Sequence, residues 1–269
     1  MTTTIVSTLD SKKEIYDKGL KRYVEEARNL SKFYQLQGIV SVKDFFYENG
    51  TGYIVMEYIN GVDLKHYLKG MGGKLDEATV LALMKPVFES LYEVHKNGLV
   101  HRDISPDNIM VDNEGKIKLI DFGSVRGQSA ETDKTYTVIL KHGYAPPEQY
   151  YAKGKQGPWT DIYSLCATMY KMLTGEVPPN GVERMEEDTY VDPSKKGISV
   201  SERTETVLRK GLAVKAPERY QDIGQLLTDL YGSGPVTAGN AMPQANPYTA
   251  SGNGNSLMSA SMQSMHLAP

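Results

Sequence analysis

Apolar residues fall into two spacings along this chain, and each spacing predicts its own elements. Tyr16, Leu20, Tyr23, Ala27 and Leu30 recur at three- and four-residue steps, which predicts a helix from residue 15 to about 34. Strand-like runs follow at 40–47 and 52–58, around Glu48-Asn49-Gly50-Thr51, where Asn-Gly is a hairpin signal. Residues 62–69 read as a short helix ended by Gly70, Gly72 and Gly73. Asp76 is placed to cap a longer helix whose apolar positions are Val80, Leu83, Met84, Val87, Leu91 and Val94. Pro86 lies inside it and predicts a kink, because a proline ring and its missing N–H cost about 3 kcal/mol in an ideal helix. Asn97-Gly98 stops that helix, and residues 109–111 and 116–120 predict a second hairpin around residues 112–115. Residues 159–173 form the most apolar helical run and so the buried centre, and two shorter helices are expected at 202–213 and 222–230.

Between these elements the pattern lapses. Residues 124–145 are polar and gather Thr132, Thr135, Tyr136 and Thr137, and a loop this long in a compact domain is usually functional or disordered. No Asp, Glu, Lys or Arg follows Asp229, and Gly, Ser, Asn, Ala, Pro and Met dominate beyond it, so 233–269 reads as a disordered low-complexity tail. The predicted division is 1–58, 59–232 and 233–269.

At 269 residues the chain can bury a substantial core, and its net charge of −3 supplies no bulk attraction for nucleic acid or an anionic membrane. Cys166 is the sole cysteine, so a disulfide framework and a cysteine metal cluster are excluded. No run of about 18 apolar residues predicts a membrane span, and Met1-Thr2-Thr3-Thr4 lacks the pattern of a signal peptide. A cytoplasmic protein is expected.

The chemistry concentrates in residues 99–123. His101-Arg102-Asp103 is followed five residues later by Asn108, and then by Asp121-Phe122-Gly123. Phosphoryl transfer needs a carboxylate to meet the attacking hydroxyl and oxygen ligands to hold Mg²⁺ against the phosphates. Asp103 meets the first need, and Asn108 and Asp121 meet the second, in the order and spacing of the protein-kinase signature.

On these motifs the chain resembles the protein kinases, most closely the bacterial eukaryotic-like serine/threonine kinases, from about residue 15 to 231. Further matches support the resemblance. Glu26 resembles the αC glutamate, Met56 the gatekeeper, Glu57-Tyr58-Ile59 the hinge that receives adenine, and Asp63 the acidic residue near the ribose. Pro146-Pro147-Glu148 stands at the Ala-Pro-Glu position, Asp161-Ile162-Tyr163-Ser164 resembles the start of αF, and Arg219 of Ala216-Pro217-Glu218-Arg219 resembles the partner of Glu148. The resemblance implies ATP and Mg²⁺ as cofactors and a protein carrying Ser or Thr as substrate. Met110 would pack under adenine or, equally, fill the core. Arg102 would bind a phosphate on Thr132, Thr135 or Thr137, unless that cluster is an ordinary solvated loop.

The sequence departs from the family pattern twice. No Gly-x-Gly-x-x-Gly and no strand-borne lysine precede Glu26. The expectation is therefore an α+β, protein-kinase-like fold with an incomplete N-lobe, made of helix αC and a two-stranded remnant, over a mainly α-helical C-lobe. It implies a protein serine/threonine kinase whose reading frame is truncated at the N-lobe and whose activity alone is impaired or absent. The alternatives are a pseudokinase acting as a non-catalytic interaction module and a small-molecule phosphotransferase. The second departure is an exchange. Ser105 stands where most members carry lysine, and Lys141 where they carry threonine. The Lys141 ammonium would reach the space beside Asp103 and supply the positive charge near the transferred phosphoryl, with Ser105 supplying the hydroxyl, or Lys141 would point to solvent.

Overall fold

The computed structural model describes residues 16–17, 19–21, 23–25, 27–121, 126–127, 140–151 and 153–232. These divide into two compact units, one of residues up to 36 together with 40–58, the other of 37–39 together with 59–232.

In the smaller unit the described residues between 16 and 31 are helical (α1), and a hairpin follows, β1 (Val42–Glu48) and β2 (Thr51–Met56). Asn49 and Gly50 turn it with φ of 51° and 72°, the paired positive values that an Asn-Gly turn supplies. The strands run antiparallel from Glu48↔Thr51 to Val42↔Met56, with a register shift between Val42 and Asp44. Gly52 lets α1 lie close, since a Cβ there would come within 3.0 Å of Leu20 Cδ1. The sheet is lightly covered: Ile54 and Met56 are half-buried, and Val55 and Tyr47 are exposed.

The larger unit is mainly helical. Its helices are α2 (Leu64–Gly70), α3 (Glu77–Lys96), α4 (Pro158–Thr174), α5 (Glu202–Gly211) and α6 (Ile223–Tyr231). Asp63, Asp76, Ser201 and Asp222 each cap a helix, accepting from the backbone N–H three residues on. The helix α4 is almost wholly buried, with Ile162, Leu165, Cys166, Met169 and Leu173 in the core, and it packs against α3 and α5. Residues on both sides of Pro86 belong to the one helix α3. Residues 37–39 run beside it, and Gly38 lies so close that a Cβ would stand 2.1 Å from the Pro86 carbonyl oxygen.

A three-stranded antiparallel sheet, ordered β3–β5–β6, joins β3 (Gly61–Asp63), β5 (Ile109–Asp112) and β6 (Ile117–Leu119). A two-residue strand β4 (Leu99–Val100) pairs with β7 (Arg126–Gly127). The first strand corrects the expected helix at 62–69: Val62 and Asp63 are strand, pairing with Val111 and Met110, and the helix begins at Leu64. Close approach of β3 to β5 requires Gly61, where a Cβ would meet the Val111 carbonyl oxygen at 2.0 Å. No helix among the described residues is long and apolar enough to cross a membrane. The predicted tail, 233–269, lies outside the described residues.

Candidate active site

The loop after β4 is held from below by the first turn of α4. Asp161 is fully buried there, and it accepts from the backbone N–H groups of His101 (2.7 Å) and Arg102 (2.8 Å) and bonds His95 Nε2 at 2.8 Å. Burial works to raise its pKa. The His95 hydrogen bond and the Arg102 N–H outweigh that and hold the carboxyl below its ordinary value. His101 is buried too. Its Nδ1 faces the N–H of Asp103 at 3.3 Å and therefore accepts, which leaves Nε2–H to donate to the Ile120 carbonyl at 3.3 Å. Only neutral imidazole makes both bonds, and burial pushes the His101 pKa down accordingly. Arg102 is forced into left-handed backbone, φ 72°, a strained geometry for a residue with a Cβ.

Asp103 emerges from this scaffold with its carboxylate bracketed. Asn108, at the end of the 3₁₀ turn Pro106–Asn108, donates Nδ2 to the Asp103 carbonyl and to Oδ2, each at 2.8 Å. Lys141 Nζ lies 3.1 Å from Asp103 Oδ1 and donates to Ser105 Oγ at 2.9 Å. Ser105 is fully buried, while the Lys141 and Asp103 side chains are each 27% exposed, open enough to meet a substrate. The Lys141 carbonyl receives the N–H groups of Tyr144 and Ala145, and Ser164 Oγ of α4 donates to the Tyr144 carbonyl at 2.9 Å. A small pocket opens here, walled by Arg102, Asp103, Leu140, Lys141, Tyr144 and Gln149.

Asp121 follows β6 with φ 61°, exposed, and the Ile120 N–H donates to the Asn108 carbonyl at 2.8 Å, which ties this strand end to the 3₁₀ turn. Met110 is half-buried on β5 between Asp63 and Lys118. The Asp63 carboxylate caps α2 through His66 N–H and contacts His66 Nδ1 at 2.7 Å. In the smaller unit, Met56 ends β2, Glu57 Oε1 accepts from Ser41 N–H at 2.8 Å, and Tyr58 is 81% exposed. Glu26, Thr132, Thr135 and Thr137 lie outside the described residues, as do Phe122 and Gly123.

Glu148 and Arg219 form a buried bidentate pair, at 2.7 and 3.1 Å. Sequence reasoning noted Asp161 only as a helix start and passed over Gln149. The signal for Asp161 was present: a carboxylate in the most apolar helix cannot stay buried without hydrogen-bond partners.

The donor set suits a hard cation used together with phosphate. The Asn108 amide oxygen, left over when Nδ2 turns to Asp103, and the Asp121 carboxylate are both oxygen ligands. Among the described residues no cluster of three or more His, Cys, Asp or Glu could hold a metal by itself. Mg²⁺ is commonly bound in that way, through one or two protein oxygens, with the substrate's phosphates completing its shell.

The Asp103 carboxylate thus stands between an amide and an ammonium, on a loop clamped by α4. The protein kinase domain family model matches residues 4–231, and the chain belongs to that family. Similar curated proteins include the serine/threonine-protein kinase PrkC of Bacillus subtilis, 32% identical over 78% of this chain and 33% of its own length. Serine/threonine-protein kinase F of Synechocystis is 34% identical over 74% of this chain and 40% of its own. The chain thus spans less than half the length of these curated relatives, 31% to 44%. Among solved structures, PpkA-294 in its apo form superposes with a TM-score of 0.68 at 34% identity, covering 80% of this chain and 75% of that one. The kinase-like α+β fold expected from the motifs is the fold observed. Membership of the family implies ATP and a divalent cation.

Proposed function

We propose that the chain transfers the γ-phosphoryl group of ATP to serine or threonine hydroxyls of proteins. The observation that carries this reading is the cluster at Asp103, where Lys141 Nζ and Asn108 Nδ2 hold the two carboxylate oxygens at 3.1 and 2.8 Å. Asp103 orients the acceptor hydroxyl and takes its proton. Lys141 places a positive charge beside the transferring group, and Ser105 holds the ammonium there by accepting from it. Asn108 and Asp121 would hold Mg²⁺, which when bound neutralises charge on the phosphates. The family resemblance assigns nucleotide binding to Glu26, Met56, Glu57, Tyr58, Asp63 and Met110. Arg102 would receive a phosphate on Thr132, Thr135 or Thr137.

A second reading has one sequence feature in its favour. Without a Gly-x-Gly-x-x-Gly or a strand-borne lysine before Glu26, this chain by itself would turn over slowly or serve as a non-catalytic interaction module. The deciding experiment incubates the purified chain with Mg–ATP and a library of Ser/Thr peptides, beside an Asp103→Asn control. Transfer that falls by about 10²-fold or more in the control supports the kinase reading. No transfer by either form, with partner binding intact, supports the module.

A further inference from the structure

The cation at Asp103 comes from a segment remote in sequence, so something must fix the Lys141 turn against the catalytic loop. Gln149 ends the 3₁₀ turn Pro147–Gln149, which follows the Lys141 turn directly. Its Nε2 donates to the Arg102 carbonyl at 2.7 Å. The opposite orientation of the amide would set its oxygen against that carbonyl oxygen, so the network assigns the donor. Gln149 Oε1 is left buried without a hydrogen-bond partner among the described residues. A buried, unsatisfied acceptor is a cost that a mere surface contact would not carry.

The Arg102 carbonyl is a telling place for this bond. It belongs to the peptide that joins Arg102 to Asp103, and the N–H of the same peptide is received by His101 Nδ1. Gln149 and His101 therefore grip one peptide unit from both ends, next to the strained φ of Arg102. Asp161 holds the two preceding N–H groups and touches neither end of this unit. Gln149 is itself fixed by its neighbour, because Glu148 is bolted into the core by Arg219 and by Thr160 Oγ1 at 3.0 Å. A continuous chain of bonds thus runs from Arg219 through Glu148 and Gln149 to the backbone of Asp103.

We infer that Gln149 is a positioning residue for Asp103, holding its peptide in the orientation that presents the carboxylate to Lys141 and to the acceptor hydroxyl. The inference deepens the kinase reading by naming what aligns its base, and its geometry can be tested without turnover.

The test compares amide hydrogen exchange of residues 99–108 in the full chain, its Gln149→Met variant and its Gln149→Glu variant, with α4 as internal control. Methionine keeps the volume and removes the donor. Residues 99–108 of Gln149→Met should exchange at least tenfold faster than in the parent, with α4 unchanged. Glutamate should behave like methionine at pH 7.5, where the carboxylate repels the Arg102 carbonyl. At pH 5 its protonated fraction donates, and protection relative to the parent should return in part. A filler role would show no such pH-dependent rescue. Parent-like exchange in both variants, or equal loosening of α4, overturns the inference. Where the parent transfers phosphate, Gln149→Met should lower kcat with little change in KM for ATP. A parent that shows the exchange pattern and no transfer would overturn the kinase reading and leave the positioning geometry standing.

Discussion

Replacing Arg219 with methionine breaks the buried Glu148–Arg219 pair of the larger unit. The Arg219 side chain is fully buried and Glu148 is 10% exposed, so the two charges meet with little water between them. Arg219 also donates to the carbonyls of Ala213 (2.6 Å), Val214 (2.9 Å) and Trp159 (3.3 Å), and its guanidinium lies 4.8 Å from the Tyr163 ring centre. Arg219→Met would leave the Glu148 carboxylate buried with, among the described residues, the Thr160 hydroxyl as its remaining side-chain donor. Breaking a buried pair from one side costs about 3–5 kcal/mol. Most of that is the penalty of a stranded charge, so a second change, Glu148→Leu, should recover part of the loss. Trp159 is the only tryptophan in the sequence and its carbonyl receives Arg219, so its fluorescence during urea denaturation reports on this region. The expected result is a large drop in midpoint for Arg219→Met and a smaller drop for the double variant. A single-variant loss below about 1 kcal/mol, or losses that simply add, would refute the stranded-charge reasoning.

Three further outcomes are expected. Gly38→Ala should destabilise by more than about 1 kcal/mol in the same urea assay, because its Cβ would collide with the Pro86 carbonyl and overpacking costs that much; an unchanged midpoint contradicts it. The folded His101 pKa lies below the ordinary 6.5, so the unfolded chain binds this proton first as pH falls; its stabilisation is full above about 6.5 and is lost as pH drops below it. Asp161 is likewise depressed, so its contribution is full above about 3.8 and fades as pH falls through the lower folded value. Urea midpoints should therefore fall between pH 7.5 and 5.5, less steeply in His101→Leu; an equal slope in that variant would count against the neutral imidazole. Asn108→Ala removes a candidate oxygen ligand, and the Mg²⁺ concentration needed for half-maximal ATP binding should rise severalfold, where an unaltered Mg²⁺ dependence would remove Asn108 from the site.

The elements that sequence made legible are those whose residues carry their own reason for forming. The apolar steps of α3 from Val80 to Val94, its Asp76 cap and the Asn49-Gly50 turn are local chemistry, and the structure contains each. So is the burial of α4, whose apolar run has no solvent-facing stripe. What stayed hidden depends on partners distant in the chain. Gly61–Asp63 are a strand only because β5 lies alongside, and three residues are too short to show alternation. Leu99–Val100 and Arg126–Gly127 are shorter still. At the site, the motif spacing brought Asp103 and Asn108 to notice, and the exchange of residue types did so for Ser105 and Lys141. The grip of Asp161 and Gln149 on the loop backbone left no spacing to read, because a side chain that bonds a main-chain carbonyl or N–H imposes no residue type on its partner.

In the proposed reading Lys141 supplies the positive charge at Asp103 in place of a lysine at position 105. The most direct test is phosphoryl transfer by Lys141→Thr and by the double variant Ser105→Lys, Lys141→Thr, which moves the ammonium back across Asp103. Removing a charge aimed at the transferring group should lower kcat about 10²–10³-fold. That loss is expected in the single variant, with recovery of at least tenfold in the double. Transfer by Lys141→Thr at the parent rate would contradict it.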